Sequence, residues 1–389
     1  MTVHGPLALA GLSVRAAAQA ARRDGLRVLA LDLFGDADTC EAAEAWRPLG
    51  DPARPQIDGE RLLALLARCR DELAGWWPGS GFEDRADLLE AGSALCPLLG
   101  TPAQGWRRLA DPRAFFERLD AWGIAHPEVV FQRPVPALGW LRKRGGSRGG
   151  EHVQPADVTA AEPADTAAAE PADGPWYWQR WQDGATMSMT LLCAAPGRAC
   201  VLGLNRQWHQ PQAGQPFAYG GVLGPVGLPG RASSLLQGVA ERLAAAFELR
   251  GVVGVDFIWH EDSAWVLEVN PRWPASAGLY APQGGLVRAH LQACLHGRLP
   301  APAQVAAWQP PRLRGLQLLR LAHDAQLDAA TVARWARQPD VHDRPSAAMR
   351  LPAGAPVCTV SAEADDEAAL RRQLDARCAA LASTLETPA

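Results

Sequence analysis

Residues 251–276, GVVGVDFIWHEDSAWVLEVNPRWPAS, constrain this chain more than any other stretch. Two runs rich in β-branched and aromatic residues, 252–259 and 265–270, flank the polar residues 260–264 and predict a β-hairpin. With Trp259 opposite Trp265 across a five-residue loop, Asp256 falls opposite Glu268, because paired residue numbers in an antiparallel ladder keep a constant sum. Asn270 shares the face of Glu268. Two carboxylates whose Cβ atoms stand roughly 5 Å apart repel one another unless something positive lies between them. Oxygen-only ligands, two acids and an amide, suit Mg²⁺ better than zinc, and a Mg²⁺ held by so few protein groups keeps positions open for phosphate oxygens. The ligand this predicts is a Mg-nucleotide. A hairpin whose polar face meets water gives the same isolated pattern, so the rest of the chain has to decide.

At 389 residues there is chain enough for about two to three domains with proper cores. A net charge of −4 without a basic stripe argues against nucleic acid as a partner. The eight cysteines have no C-x-x-C spacing, so neither zinc nor a disulfide framework is indicated, and a cytoplasmic setting is expected. Residues 6–12 are too short for a signal peptide, and no apolar run approaches the ~20 residues of a membrane span. Of 38 Lys and Arg residues, Lys143 is the only lysine. Genomic base composition can produce such a bias, but a lysine that survives it is a candidate for placing a compact charge on phosphate.

Residues 7–10, 14–23 and 26–31 read as strand, helix and strand, a βαβ unit ending in Asp32. No G-x-G-x-x-G accompanies it, so the expectation is a Rossmann-like scaffold that offers Ser13 and Arg15 at the strand ends, low-specificity candidates for substrate contact. Residues 75–82, GWWPGSGF, are expected to be a loop. Asp111-Pro112-Arg113 opens a helix with an N-cap and proline at N1. Residues 138–143 are a strand candidate ending in Lys143, and Gly145, Gly146, Ser147, Gly149 and Gly150 follow as a loop able to bring backbone N–H groups to phosphates. Residues 151–175, with AEPAD occurring twice, cannot bury a core and are expected to form a disordered insertion. Beyond them, 176–181, 187–193, 198–208 and 217–223 read as strands and 232–249 as a helix leading into the hairpin. The proline-rich 300–311 marks a boundary before a small α+β appendage.

The strand with Lys143 and its glycine loop, the WQRWQDG hairpin and the VGVDFIW…WVLEVNPRWPAS segment, in that order, resemble the ATP-grasp superfamily over residues 1–300. The resemblance implies an α/β and α+β architecture: a Rossmann-like domain over 1–104, an ATP-grasp domain over 105–300 with a mobile lid at about 131–183, and a C-terminal α+β part over 301–389. It implies ATP and Mg²⁺ as cofactors. Lys143 matches the lysine on the ATP phosphates, residues 145–150 the closing loop, and Gln179, Arg180 and Trp181 the hinge that meets adenine. Asp256, Glu268 and Asn270 match the metal ligands. Arg272, with Lys143, matches the groups that steady the reacting phosphoryl and carboxyl. Two departures stand out. A first phosphate lysine is replaced at about its place by Arg113, and Thr186 stands where a ribose-binding carboxylate is common. The segments GLSVR, LDLFGDADT, DRP and PVCTV are similar to a subgroup of predicted ATP-grasp carboligases with a link to methanopterin- or methanofuran-type coenzymes.

These implications describe an ADP-forming carboxylate–amine ligase working through an acyl phosphate on small-molecule partners, a carboxylate and an amine, with a homodimer left open. A carboxylase acting through carboxyphosphate and a nucleotide-binding scaffold without turnover are the alternatives.

Overall fold

The computed structural model describes residues 5–157, 176–228 and 230–385. The N-terminal part begins β1 (Leu7–Ala10), α1 (Arg15–Arg23), β2 (Val28–Asp32), α2 (Ala37–Ala42), β3 (Ala45–Pro48), α3 (Gly59–Cys69), β4 (Gly75–Pro78), α4 (Ala86–Leu95) and α5 (Ala103–Ala110). Its sheet is wholly parallel in the order β3-β2-β1-β4. Residues 75–82 are therefore not all loop. Residues 75–78 form an edge strand without polar alternation, because helices cover both of its faces. Trp77 packs in the α1-side core and Trp76, fully buried, in the α3/α4-side core. The carboxyl ends of β1 and β4, where the chain order reverses, lie side by side, with Leu12 N–H donating to the Ser80 carbonyl at 2.8 Å.

Helix α6 (Pro112–Ala121) is capped by Asp111, which accepts from the Arg113 and Ala114 N–H groups. It leads into a small antiparallel sheet, β5-β8-β6-β7, made of β5 (Val129–Val130), β6 (Trp140–Arg144), β7 (Gln154–Pro155) and β8 (Trp176–Arg180). The first residues of the stretch expected to be a disordered insertion are structured instead. Residues 154–155 pair with Leu141 and Arg142 of β6, whose edge is otherwise open, and 158–175 lie outside the described residues.

The large sheet is antiparallel, with β9 (Ala185–Ala194), β10 (Arg198–His209), β11 (Tyr219–Gly224), α7 (Ala232–Ala246), β12 (Gly251–His260) and β13 (Ser263–Asn270) in its first half. Alternation divides its faces. Met187, Met189, Leu191, Val253, Val255 and Phe257 join α7 in one core, while Ser188, Thr190 and Asp256 point to the other face. After α8 (Leu286–His296) and α9 (Pro302–Ala307), the sheet resumes with β14 (Leu313–Arg320). Then come β15 (Ala325–Leu327), α10 (Ala329–Trp335), β16 (Val341–His342), β17 (Met349–Leu351), β18 (Pro356–Ala364) and α11 (Glu367–Ala382). β15 and β17 pair with each other, and the full order is β13-β12-β9-β10-β11-β14-β18-β16. The C-terminal part has its own core around Trp335, Val360 and Leu374, yet it is no free-standing appendage. β14 pairs with β11, Gly221 opposite Gln317, and closes an edge that would otherwise carry unpaired backbone groups.

The central hairpin reaches its expected outcome by another route. Its turn is Glu261-Asp262, both at positive φ (46° and 57°), with His260 opposite Ser263, so the loop is two residues rather than five and Trp265 faces Ile258, not Trp259. That register alone would set Glu268 against Val255 on the apolar face. A β-bulge between Asp256 and Phe257, with Leu267 as the additional residue, shifts the ladder by one and brings Glu268 opposite Asp256. Both turn residues occupy a left-handed conformation that Asn-Gly adopts more easily. Replacing Glu261-Asp262 with Asn-Gly should raise stability by about 1 kcal/mol in urea unfolding.

Candidate active site

The acidic pair sits in a row of four directly paired residues that crosses β10, β9, β12 and β13: Asn205, Ser188, Asp256 and Glu268. Gln207 Nε2 donates to Asp256 Oδ1 at 2.9 Å. Asn270 Nδ2 donates to Asp256 Oδ2 and to Glu268 Oε1, each at 3.1 Å, which fixes both carboxyl groups on one face of the hairpin. Burial and the neighbouring Glu268 charge push Asp256 well above the usual carboxylate range. Burial also acts to raise Glu268, but the hydrogen bond with Asp256 and the Lys143 charge outweigh it and hold Glu268 low. The two carboxyl groups are thus pushed in opposite directions, the response of coupled facing acids.

Lys143 is on the penultimate residue of β6, 6% exposed, and donates to Gln179 Oε1 of β8 at 2.8 Å. Burial pushes its ammonium pKa down against the opposing pull of the Glu268 and Asp256 charges on the large sheet. The Gln179 amide nitrogen is buried without a partner among the described residues. Gly145, Gly146 and Ser147 line the cleft together with Tyr177 and residues 267–271. Gly150 (φ +72°) passes so close to the Phe217 carbonyl that a Cβ would stand 2.1 Å from it, and Tyr219 N–H donates to the Gly149 carbonyl at 3.0 Å. Only glycine lets the loop lie this close. Arg148 donates to the Pro55 carbonyl at 3.0 Å and Glu151 meets Arg320 at 3.6 Å, so the lid touches both the N-terminal and C-terminal parts.

Arg272 bridges the hairpin and the N-terminal sheet. Its NH2 donates to Asn270 Oδ1 at 3.1 Å and its Nε to Glu83 Oε1 at 2.8 Å, while Glu83 Oε2 accepts from Gly81 N–H at 2.7 Å. With its oxygen turned to Arg272, Asn270 meets the acids as a donor, and a half turn of the amide would present the oxygen to a cation instead.

Other expected residues stand apart. Arg113 is exposed, with its guanidinium 4.1 Å from the Phe131 ring, outside the set that lines the cleft. Of the hinge trio, only Gln179 reaches the interior. Arg180 is exposed near the Trp140 ring, and Trp181 is 49% exposed, with Nε1 donating to Asp183. Ser13 and Arg15 engage Asp343 rather than the cleft, Arg15 through two bonds of 2.9 and 3.1 Å. Asp38 secures the same joint by accepting from the Asp343 and Arg344 N–H groups. Sequence reasoning missed Glu83, His152 and Gln207. Glu83 alone had a signal, since it follows the loop at the carboxyl end of a parallel strand, where ligands gather. The donor set fits Mg²⁺, oxygen-only and self-repelling without it, and the buried ammonium and unpartnered amide fit a triphosphate.

A family profile described as "ATP-grasp domain" matches residues 110–276. No curated protein matches the chain in sequence. Among solved structures, the biotin carboxylase domain dimer of the Hydrogenobacter thermophilus 2-oxoglutarate carboxylase, in complex with MgADP, ADP and bicarbonate, is similar at TM-score 0.72 and 12% identity, over 99% of this chain and 91% of that one. Biotin carboxylase from Campylobacter jejuni matches at TM-score 0.69 and 12% identity, over 94% and 89%. N5-carboxyaminoimidazole ribonucleotide synthetase from Thermus thermophilus matches at 0.67 and 17%, over 98% and 99%. The chain carries an ATP-grasp domain and adopts the ATP-grasp fold from its parallel N-terminal sheet to its long antiparallel one.

Proposed function

We propose that this protein is an ATP-dependent, ADP-forming ligase that activates a small carboxylate as an acyl phosphate and passes the acyl group to an amine. The observation that carries the reading is the Asp256–Glu268 pair, bound by Asn270 and faced across the cleft by the buried Lys143. Transferring a γ-phosphoryl to a carboxylate brings two anions together, so positive charge must be fixed around them before the reaction. Asp256, Glu268 and a turned Asn270 would hold Mg²⁺, which when bound neutralises the phosphate oxygens. Lys143 places its charge on the phosphates and Arg272, braced by Glu83, steadies the carboxyl. The glycine loop excludes water from the activated intermediate. Gln179 supplies the hinge's inward amide, whereas Arg180, Trp181 and Arg113 act at most at its rim.

A second reading takes bicarbonate as the carboxylate, giving carboxylation through carboxyphosphate. It is supported by structural neighbours that are carboxylases, one of them holding bicarbonate with MgADP. A coenzyme precursor as the acceptor rests on the resemblance of GLSVR, LDLFGDADT, DRP and PVCTV alone. ADP release measured with MgATP against a panel of acids and amines tests the proposal. Stimulation by bicarbonate alone selects the second reading, and no stimulation by any pair overturns both.

Two substitutions separate site from scaffold. Glu268→Gln should fold with stability within about 1 kcal/mol of the parent, because the new amide oxygen can accept from Asn270 and its nitrogen can donate to Asp256. It should abolish both ADP formation and the rise in Tm on adding Mg²⁺, and a retained Mg²⁺ response would refute the metal assignment. Lys143→Met keeps the aliphatic stem and removes a buried charge, so Tm should hold or rise while MgATP affinity falls on the order of tenfold or more in calorimetry. Parallel loss of both would make Lys143 a structural residue.

A further inference from the structure

We infer that the acid taken by this site is a short monocarboxylate with an apolar body, an assignment that rests on the ligase reading above. The lining of the cleft's cavity is of two kinds. Glu83, Asn270 and Pro271 contribute to it from the two large sheets, and Arg144, Ser147 and His152 from the lid. Against these polar groups stands a wall without charge, made by Trp106, Leu109, Pro112, Phe115 and Phe116 of the consecutive helices α5 and α6. Trp106 belongs to the core on the α3/α4 side of the parallel sheet and the two phenylalanines to the core against α7, so the wall is the seam between two packed bodies. Ring contacts hold it in place: the Phe116 centroid is 4.9 Å from that of Phe115 and 5.5 Å from that of Tyr177.

The position of the cavity separates it from the hinge. On the paired strands β6 and β8, Leu141 stands opposite Gln179 and Lys143 opposite Tyr177. Tyr177 lines the cavity and Gln179, Arg180 and Trp181 do not; on β6 the lining begins at Arg144 and continues through Gly145, Gly146 and Ser147. The cavity thus runs from the level of Lys143 away from the hinge, toward Glu83 and the residues on either side of Arg272. Gly145 of the phosphate loop packs so closely on Pro112 that a Cβ would stand 2.6 Å from the proline ring. An acid whose carboxyl meets the phosphates at this loop, steadied by Arg272, therefore has its body against α5 and α6.

The cations of these two helices are turned elsewhere. Arg107 bonds Glu90, Arg108 bonds Glu248 at 2.6 Å, and Arg113 lies over the Phe131 ring. A second carboxylate on the acid would lose its water against the wall without gaining a partner from it, whereas methylenes gain from the same transfer. Size sets the other limit. About 60 Å³ of the cavity is open to the centre of a water-sized group, room for a few waters or a chain of about four carbons and too little for a large ring system.

The test uses the whole chain. Calorimetry first establishes binding of Mg-AMP-PNP, and acetate, butyrate and succinate are then titrated into that complex by ligand-observed NMR. The expected result is butyrate binding about tenfold or more tighter than acetate, a gain of roughly fourfold per methylene, and tighter than succinate by at least as much. Leu109→Asn, at a half-buried position of the wall, should weaken butyrate about fivefold while acetate and Mg-AMP-PNP hold within about twofold; a general loosening of the fold would move all three. If the complex binds succinate as well as butyrate, treats all three acids alike or binds none of them, the acid is of another class and the proposal is overturned on its own. It is equally overturned if Leu109→Asn weakens Mg-AMP-PNP instead of butyrate, which would make the wall part of the nucleotide site, or if it changes nothing. If Mg-AMP-PNP does not bind the parent protein, the ligase reading falls, and this assignment with it.

Discussion

Two acids facing each other across neighbouring strands are an electrostatic cost that a hairpin accepts only for a reason, and the surrounding structure is arranged around that cost. On the apolar side of the large sheet, β-branched and methionine side chains bury against α7 and supply the stability. On the other side, amides from Gln207 and Asn270 bond the two carboxyl groups, and burial beside Glu268 raises the Asp256 pKa. Lys143 is desolvated beside the acids, and among the described residues its ammonium donates to one neutral oxygen.

Much of this was legible in the residues themselves. The Asp256–Glu268 pairing follows from period-two alternation, and the capped helix from Asp111-Pro112. The pairing was nevertheless reached through a wrong loop length offset by an unforeseen bulge, since nothing in Val266-Leu267-Glu268 signals an extra residue before the ladder is built. Trp76 and Trp77 misled for a related reason: a short strand covered on both faces shows no alternation, and its flanking glycines and proline look like a turn.

The residues sequence could not supply are those whose roles depend on distant partners. Glu83 matters because Arg272, 189 positions away, lands on it. Arg15, expected at a strand end as a substrate contact, is bonded in the structure to Asp343, which lies 328 positions on, beyond any local pattern. His152 sat at the edge of a low-complexity tract whose composition masked the fact that its first residues fold back as β7. Composition describes the average of a segment, while a site depends on single members of it.

The solitary lysine has a practical corollary. Acylating reagents aimed at primary amines find one side chain in this sequence, and it is buried rather than on the surface. Apart from the chain's terminal amine, any covalent tag such a reagent leaves reports on how often Lys143 becomes exposed, which makes that exposure readable by mass spectrometry without engineering a probe.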